Sequence, residues 1–446
     1  MGKYFGTDGI RGIANAELDA RLAYLTGFAA AEELGRDKAR PRVVICKDTR
    51  ISGDMLESAL IAGLCAGGAD ASPLGVLPTP AAALLTIERG ADAGIVISAS
   101  HNPYEHNGIK LFGREGFKIP DELEARIEHL IDHPEELTTR VGGELGRVAS
   151  DDGSGVELYV GHVARRVERL RHMRVVFDCA NGAASRTARN LFSRFDLDAE
   201  YISEQPDGVN INADCGSTHL DALRKAVVDG GFDCGFAFDG DADRCLAVDE
   251  TGATVDGDAI LALCAAAMKE DGTLRGGAVV GTIMSNSGLL DYCKTRGIDV
   301  LLSDVGDRNV LELMRARGCN LGGEPSGHTI FTDDSTTGDG QLAALKVLEV
   351  LSRSGKSLSE LRREIPYYPQ VMINVKVAGA EGKAAAMASA ALKAAIEEER
   401  AKLGGGGKIL VRPSGTESLI RVTVEARTTE IAGKCAERLV NLIELP

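Results

Sequence analysis

Three stretches of this chain repeat one plan: a Val/Ile-rich run, a turn of small polar residues, then a helix-like pattern. The first is Arg42-Val43-Val44-Ile45-Cys46-Lys47, running through Asp48-Thr49-Arg50 into Ser52-Gly53-Asp54. The second is Arg174-Val175-Val176-Phe177-Asp178, followed by Cys179-Ala180-Asn181-Gly182, and the third is Ala278-Val279-Val280-Gly281-Thr282, followed by Ile283-Met284-Ser285-Asn286-Ser287-Gly288. Strands alternating with helical patterns imply βαβ units and parallel or mixed sheets. The expected class is therefore α/β, with three related domains. At 446 residues the chain exceeds the size at which one hydrophobic core stops growing, so two to four domains are expected.

Breaks in the pattern place the boundaries. The Gly-rich polar stretch Gly142 to Gly155 closes a first domain, 1–150. Glu250-Thr251-Gly252 reads as a strand-joining turn between a second domain, 151–250, and a third, 251–366. Pro366-Tyr367-Tyr368-Pro369 is a stiff linker, because each proline fixes its own φ and biases its predecessor away from helix. The tail, 367–446, reads as a small α+β domain. It has an Ala/Lys/Glu-rich helix from about Glu381 to Lys402, a Gly404 to Gly407 break, and strands Ile409–Val411 and Leu419–Val424 around a polar loop.

Composition excludes several function classes. A formal net charge of −16 disfavours non-specific binding to nucleic acid or an anionic membrane, so any anionic ligand must be held by local cations and backbone N–H groups. No apolar run approaches the roughly eighteen residues needed to cross a bilayer, and Met1 to Gly6 lacks a signal-peptide core; a cytoplasmic protein is expected. Ten cysteines without CxxC spacing read as reduced, mostly buried thiols.

The chemistry-bearing residues fall in loops after apolar runs. Ile95 to Ile97 ends in Ser98-Ala99-Ser100-His101-Asn102-Pro103. Ligands of open α/β sheets bind outside the carboxyl ends of strands, so Ser100 is placed to be a nucleophile, although a helix-capping loop serine explains the same letters. Phe236-Ala237-Phe238 runs into Asp239-Gly240-Asp241-Ala242-Asp243-Arg244, with carboxylates at every second position. Carboxylates about 4 Å apart repel by roughly 4 kcal/mol per pair at an effective dielectric near 20. A bound Mg²⁺ or Ca²⁺ relieves this most simply. A calcium EF-hand would use Glu250 at its twelfth position, but Arg244 stands where its sixth needs glycine.

Arg412-Pro413-Ser414-Gly415-Thr416-Glu417 has the makings of a phosphate clamp, and equally of a hairpin turn. Gly323-Glu324-Pro325-Ser326-Gly327-His328 mixes a carboxylate, a hydroxyl and an imidazole suited to sugar hydroxyls, or to a plain polar turn. Phe5-Gly6-Thr7-Asp8-Gly9-Ile10-Arg11-Gly12 surrounds one arginine with glycines. Lys110 follows Ser100 by ten positions, and Thr218 with Asp221 resembles a capping box. Together these features fit phosphoryl transfer on a sugar phosphate.

Over nearly its whole length the chain resembles the α-D-phosphohexomutase superfamily, carrying YFGTDGIRG, SASHNP, DGDADR, GEPSGH and RPSGTE in that family's order. The opening motif and Cys215-Gly216-Ser217-Thr218-His219 resemble its bacterial glucosamine branch, with Pro325 where Gln is common and Ser418 where Pro is usual. The resemblance implies four domains in a heart shape around one cleft, three related α/β domains plus the smaller C-terminal α+β domain. Their loops would in turn carry the phosphoserine, the metal, the sugar and the phosphate. It implies phosphorylation on Ser100, and Mg²⁺ held by Asp239, Asp241, Asp243 and the phosphoserine. Glu324 and Ser326 would contact sugar hydroxyls, while Arg412, Ser414, Gly415, Thr416 and Arg421 would hold the distal phosphate.

Arg11, Lys110, His328 and Arg244 are the implied charge-stabilising and proton-transferring groups, His101 supporting the serine loop. The general base stays open among Arg11, Lys110 and His328. The implied reaction interconverts glucosamine 6-phosphate and glucosamine 1-phosphate through glucosamine 1,6-bisphosphate, supplying UDP-N-acetylglucosamine for the cell wall. A phosphomannomutase/phosphoglucomutase is the alternative. The expected partner is a small-molecule sugar phosphate; monomer and homodimer both stay open. A hinge at Pro366 to Pro369 would let the tail domain open and close. A serine hydrolase fits poorly, since Ser100 and His101 are neighbours that point apart in an extended segment and no G-x-S-x-G elbow is present.

Overall fold

Phe5–Gly6 (β1), Gly9–Ile13 (β2), Arg42–Lys47 (β3), Asp70–Val76 (β4), Ala93–Ile97 (β5) and His106–Gly113 (β6) make one sheet, ordered β1-β2-β6-β5-β3-β4. Met173–Asp178 (β7), Leu197–Ile202 (β8), Cys234–Phe238 (β9), Cys245–Asp249 (β10) and Thr254–Val255 (β11) make a second, ordered β11-β10-β9-β7-β8. Ala278–Thr282 (β12), Asp299–Ser303 (β13), Leu321–Gly323 (β14) and Thr329–Phe331 (β15) make a third, ordered β13-β12-β14-β15. This computed structural model describes residues 2–6, 8–36, 38–149, 153–404, 406–414 and 418–444. Among them no helix is long and apolar enough to cross a membrane.

The three sheets share one topology, which makes the repetition seen in the sequence explicit. In each, a first strand lies between a parallel second and a parallel third, and a fourth returns antiparallel beside the third. These quartets are β3, β4, β5, β6; then β7, β8, β9, β10; then β12, β13, β14, β15. The central strands are apolar runs because helices cover both faces; every residue of β5, β9 and β12 is buried. The loop between third and fourth strands is the same place each time. It holds Ser100 in the first repeat, Asp239 to Arg244 in the second, and Glu324 to His328 in the third.

The chain divides into two compact units. One contains these three sheets and comprises Met1–Met284 with Ile298–Arg362; the other is Ser285–Gly297 with Arg363–Pro446. The second unit carries a three-stranded antiparallel sheet of Gln370–Lys376 (β16), Gly407–Pro413 (β17) and Leu419–Ala426 (β18), ordered β16-β18-β17. Its core packs Ile420, Val422, Val424, Ala432 and Leu439. The helix Ser287–Thr295 belongs here too: the Ser287 hydroxyl donates to Glu425 at 2.8 Å, and the Tyr368 hydroxyl to Asp291 at 2.6 Å.

Two local expectations need correction. The single helix expected from Glu381 to Lys402 is two, Gly379–Ala388 and Ala390–Leu403. Ser389 separates them with φ −54° and ψ 118°, and its hydroxyl caps the second by accepting the Leu392 N–H. Thr218 and Asp221 form no capping box. Leu220 is the cap of helix Asp221–Gly230 without a side-chain bond, and the Thr218 hydroxyl meets His219 Nδ1 at 3.1 Å.

Candidate active site

Three loops of the first unit converge on Ser100. β5 ends at Ile97, and Ser100 follows with φ +54°, in the left-handed region, its side chain buried. Its hydroxyl donates to Asp239 Oδ2 at 2.6 Å, joining the first repeat's loop to the second's. The approach needs Gly240, since a Cβ there would lie 2.5 Å from the Ser100 carbonyl oxygen.

Asp239, Asp241 and Asp243 are all buried, and each offers a carboxylate oxygen within 4.8 Å of the other two. Burial, with Asp243 and Asp241 adding, pushes the Asp239 carboxyl well above its usual range. Asp241 Oδ2 accepts from Lys110 Nζ at 2.8 Å and from the Thr79 hydroxyl at 2.6 Å. Asp241 Oδ1 and Asp243 Oδ1 are buried with no hydrogen-bond partner among the described residues. Three converging carboxylates with two unpartnered oxygens fit a hard divalent cation. Glu250, which an EF-hand would need, instead accepts the Ser359 hydroxyl at 2.7 Å.

Cations ring this acidic centre. Lys110 is buried; burial opposes its charge, but Asp241, Asp8 and Asp243 outweigh that and hold its ammonium charged. Arg11 pairs with Asp8, its Nε buried without a partner among the described residues, and Arg244 Nε lies 3.8 Å from Asp243. His328 Nδ1 is 3.6 Å from Asp243; burial is outweighed by Asp243, Asp307 and Glu324, which push it up to about 9. His101 behaves oppositely. Burial, then Arg244 and Arg11, lower it to about 4, and its Nδ1 sits 3.3 Å from Ser100 Oγ. In the third repeat's loop, Glu324 Oε1 accepts the Gly306 N–H at 3.0 Å and the buried Ser326 hydroxyl has no partner among the described residues.

The structure thus brings Ser100, His101, Lys110, Arg11, His328, Arg244 and the three aspartates into one connected cluster. Glu324 and Ser326 lie in the same unit, while the distal-phosphate candidates belong to the second unit. Arg412 and Arg421 are cross-strand neighbours on β17 and β18, the Ser414 carbonyl accepts Lys383 Nζ at 2.8 Å, and Arg412 Nε is buried without a partner among the described residues. Gly415 and Thr416 lie outside the described residues. Sequence reading missed Thr79 and the chain Lys110–Asp8–Lys118–Asp307, in which Lys118 Nζ contacts Asp8 at 2.5 Å and Asp307 at 2.6 Å. It also passed over Asp48 and Arg50, whose signal was a charged pair directly after an apolar strand.

Known proteins share this architecture. Family models of phosphoglucomutase/phosphomannomutase match in succession: alpha/beta/alpha domain I over residues 2–138, domain II over 157–252, domain III over 256–368 and the C-terminal domain over 372–442. A phosphoglucomutase/phosphomannomutase family protein of Burkholderia thailandensis has the same fold, with a TM-score of 0.81 at 24% identity, covering 98% of this chain and 97% of its own. N-acetylphosphoglucosamine mutase of Aspergillus fumigatus, solved with GlcNAc-6P and magnesium, gives 0.69 at 18%, covering 99% and 95%. Fold and site together define a four-domain phosphohexomutase with a smaller C-terminal domain.

Closer relatives narrow the class. The phosphoglucosamine mutase of Geobacillus kaustophilus is 48% identical over 446 residues, covering 99% of this chain and 98% of its own. That of Moorella thermoacetica is 50% identical over 432, covering 96% of each. The chain belongs to the phosphoglucosamine mutases, isomerases that act as intramolecular phosphotransferases.

Proposed function

We propose that this enzyme interconverts glucosamine 6-phosphate and glucosamine 1-phosphate through phospho-Ser100 and glucosamine 1,6-bisphosphate, and so feeds UDP-N-acetylglucosamine synthesis for the cell wall in the cytoplasm. The observation that carries this reading is the 2.6 Å hydrogen bond from Ser100 Oγ to Asp239, which sets a buried hydroxyl against three clustered carboxylates. Domain borders near 150, 250 and 366 belong to the same proposal.

In the first half-reaction the bond between Ser100 Oγ and phosphorus breaks as one forms to the free O1 or O6 of the sugar phosphate, whose hydroxyl proton ends on Ser100 Oγ. In the second, the other sugar O–P bond of the bisphosphate breaks as the Ser100 Oγ–phosphorus bond re-forms, and the serine proton returns to the sugar oxygen released. Such transfer depends on in-line placement and charge stabilisation more than on covalent work by side chains. Asp239, Asp241 and Asp243 would hold Mg²⁺, which neutralises phosphoryl charge when bound. Lys110, Arg11 and Arg244 supply fixed positive charge. His101 is neutral at physiological pH and orients Ser100 Oγ from 3.3 Å. Glu324 and Ser326 would take sugar hydroxyls, and the 412–416 loop with Arg421 the distal phosphate.

Comparing kcat/KM on glucosamine 6-phosphate, glucose 1-phosphate and mannose 1-phosphate tests the assignment. Preference for the amino sugar on the order of a hundredfold is expected, because buried polar groups left unpaired penalise the wrong sugar. Equal or better use of glucose or mannose phosphate would favour the phosphomannomutase/phosphoglucomutase alternative. Arg412→Ala should weaken binding. Losing a charge-assisted phosphate contact costs about 2 kcal/mol, roughly thirtyfold in KM, with a smaller change in kcat under steady-state assay.

A further inference from the structure

The loop bearing Ser100 is folded around a guanidinium that the reaction itself does not use. Arg50 lies just beyond β3, and its side chain has no solvent exposure. Its Nε donates to Asp48 Oδ2 at 2.9 Å. One terminal nitrogen donates to the Ser100 and Asn102 carbonyls at 2.9 and 2.8 Å; the other donates to His106 O at 3.0 Å and to Pro103 O. All five N–H groups of the fork therefore have acceptors, four of them backbone oxygens of the segment 100–106.

Asp48 grips the same residue from its other side. Its Oδ2 also accepts the Ser98 hydroxyl at 2.6 Å, and Ser98 Oγ accepts the Ser100 N–H at 2.9 Å. Both backbone polar groups of Ser100 are thus tied to one buried ion pair, directly on one side and through Ser98 on the other. Asn212 Nδ2 adds a second donor to the Ser100 carbonyl at 2.9 Å.

The internal repeat separates what the fold needs from what the first repeat adds. After the first strand of each quartet the chain makes the same side-chain-to-backbone turn. Asp48 Oδ1 accepts the Arg50 N–H at 3.0 Å, Asp178 Oδ1 the Ala180 N–H at 2.9 Å, and Thr282 Oγ1 the Met284 N–H at 3.1 Å. Alanine and methionine fill Arg50's place in the other two repeats, so the turn does not require a guanidinium. The buried cation occurs in the repeat that carries Ser100.

We propose that Arg50, oriented by Asp48, is a positioning residue for phosphoryl transfer: by fixing both sides of the Ser100 backbone it aims Oγ along the line of transfer. This rests on Ser100 being the phosphoryl carrier. Lysine cannot substitute, since one ammonium offers three donors from a single point where five are used from a planar fork.

The test compares Arg50→Lys, Arg50→Ala, Ser98→Ala and Ser100→Ala with the full-length wild-type enzyme, each first melted to establish that it is folded. A folded Arg50→Lys should lose kcat on the order of a hundredfold, the scale set by an ångström of misplacement, with KM within about threefold. Arg50→Ala should regain part of the lost kcat with low millimolar guanidinium but not with equal sodium chloride. If neither arginine variant folds, Ser98→Ala carries the test, with kcat down roughly tenfold at unchanged KM. A folded Arg50→Lys, or failing that Ser98→Ala, with wild-type kcat beside an inactive Ser100→Ala overturns the proposal. Turnover by Ser100→Ala overturns the phosphoserine reading beneath it.

Discussion

Ser100→Ala is expected to leave no measurable interconversion of glucosamine phosphates, a loss of roughly 10⁴-fold or more, the scale on which removing a covalent nucleophile acts. That is roughly 5 kcal/mol or more of barrier. Ser100 Oγ meets the acidic cluster at 2.6 Å from Asp239, whereas the Thr79 hydroxyl donates to Asp241 Oδ2, which Lys110 also holds. The fold should survive. Alanine meets the same left-handed backbone at φ +54° as serine does, and the backbone ties to Ser98, Arg50 and Asn212 do not involve Oγ. A coupled assay run beside a melting curve separates the two effects: turnover is abolished, while the melting temperature shifts by only a few degrees, as about 1 kcal/mol would give.

Chelation should be nearly as severe. Enzyme stripped with EDTA is expected to lose turnover by roughly 10³-fold or more and to regain it with added Mg²⁺. The acidic centre explains both the loss and its pH dependence. Without a cation, Asp239, Asp241 and Asp243 repel by about 3 to 4 kcal/mol per pair at their separation of up to 4.8 Å, taking an effective dielectric near 20. Burial, with Asp243 and Asp241 adding to it, pushes the Asp239 carboxyl well above its usual range. Protons and a cation compete for these carboxylates, so Mg²⁺ affinity should climb with pH. Calorimetric titration at several pH values reads this directly. An affinity that falls as pH rises, or full turnover in EDTA, contradicts the metal assignment.

How much of this was legible in the sequence depended on whether a signal was local. β5 and β9 announce themselves as continuous apolar runs because they are covered on both faces, and the loops after them hold Ser100 and the aspartates. The DGDADR spacing reads as a metal loop because the small spacers Gly240 and Ala242 let the backbone curl and bring three alternate carboxylates together. The shared strand order was visible only as three vague similarities, since topology depends on pairings that no single stretch contains.

Long-range charge pairing was invisible for the same reason. Lys118 and Asp307 stand 189 positions apart, and Thr79 and Asp241 162. Arg50 carried no signal beyond Asp48 beside it, because its four other acceptors are backbone oxygens, which every residue has. The helix break at Ser389 was hidden by the strongly helix-forming sequence on either side, with serine's capping role showing only once its hydroxyl met Leu392 N. β16 alternates in burial along Gln370–Lys376, but the prolines before it read as linker.

The central claim is that phosphate shuttles on and off one serine. Peptide mapping of the purified, active enzyme, before and after incubation with glucosamine 1-phosphate, tests it most directly. The account predicts phosphate on the peptide containing Ser100, lost to the sugar as glucosamine 1,6-bisphosphate and replaced from that bisphosphate at a rate matching turnover. Full activity with Ser100 never phosphorylated, or with the exchanging phosphate on another residue, would contradict it.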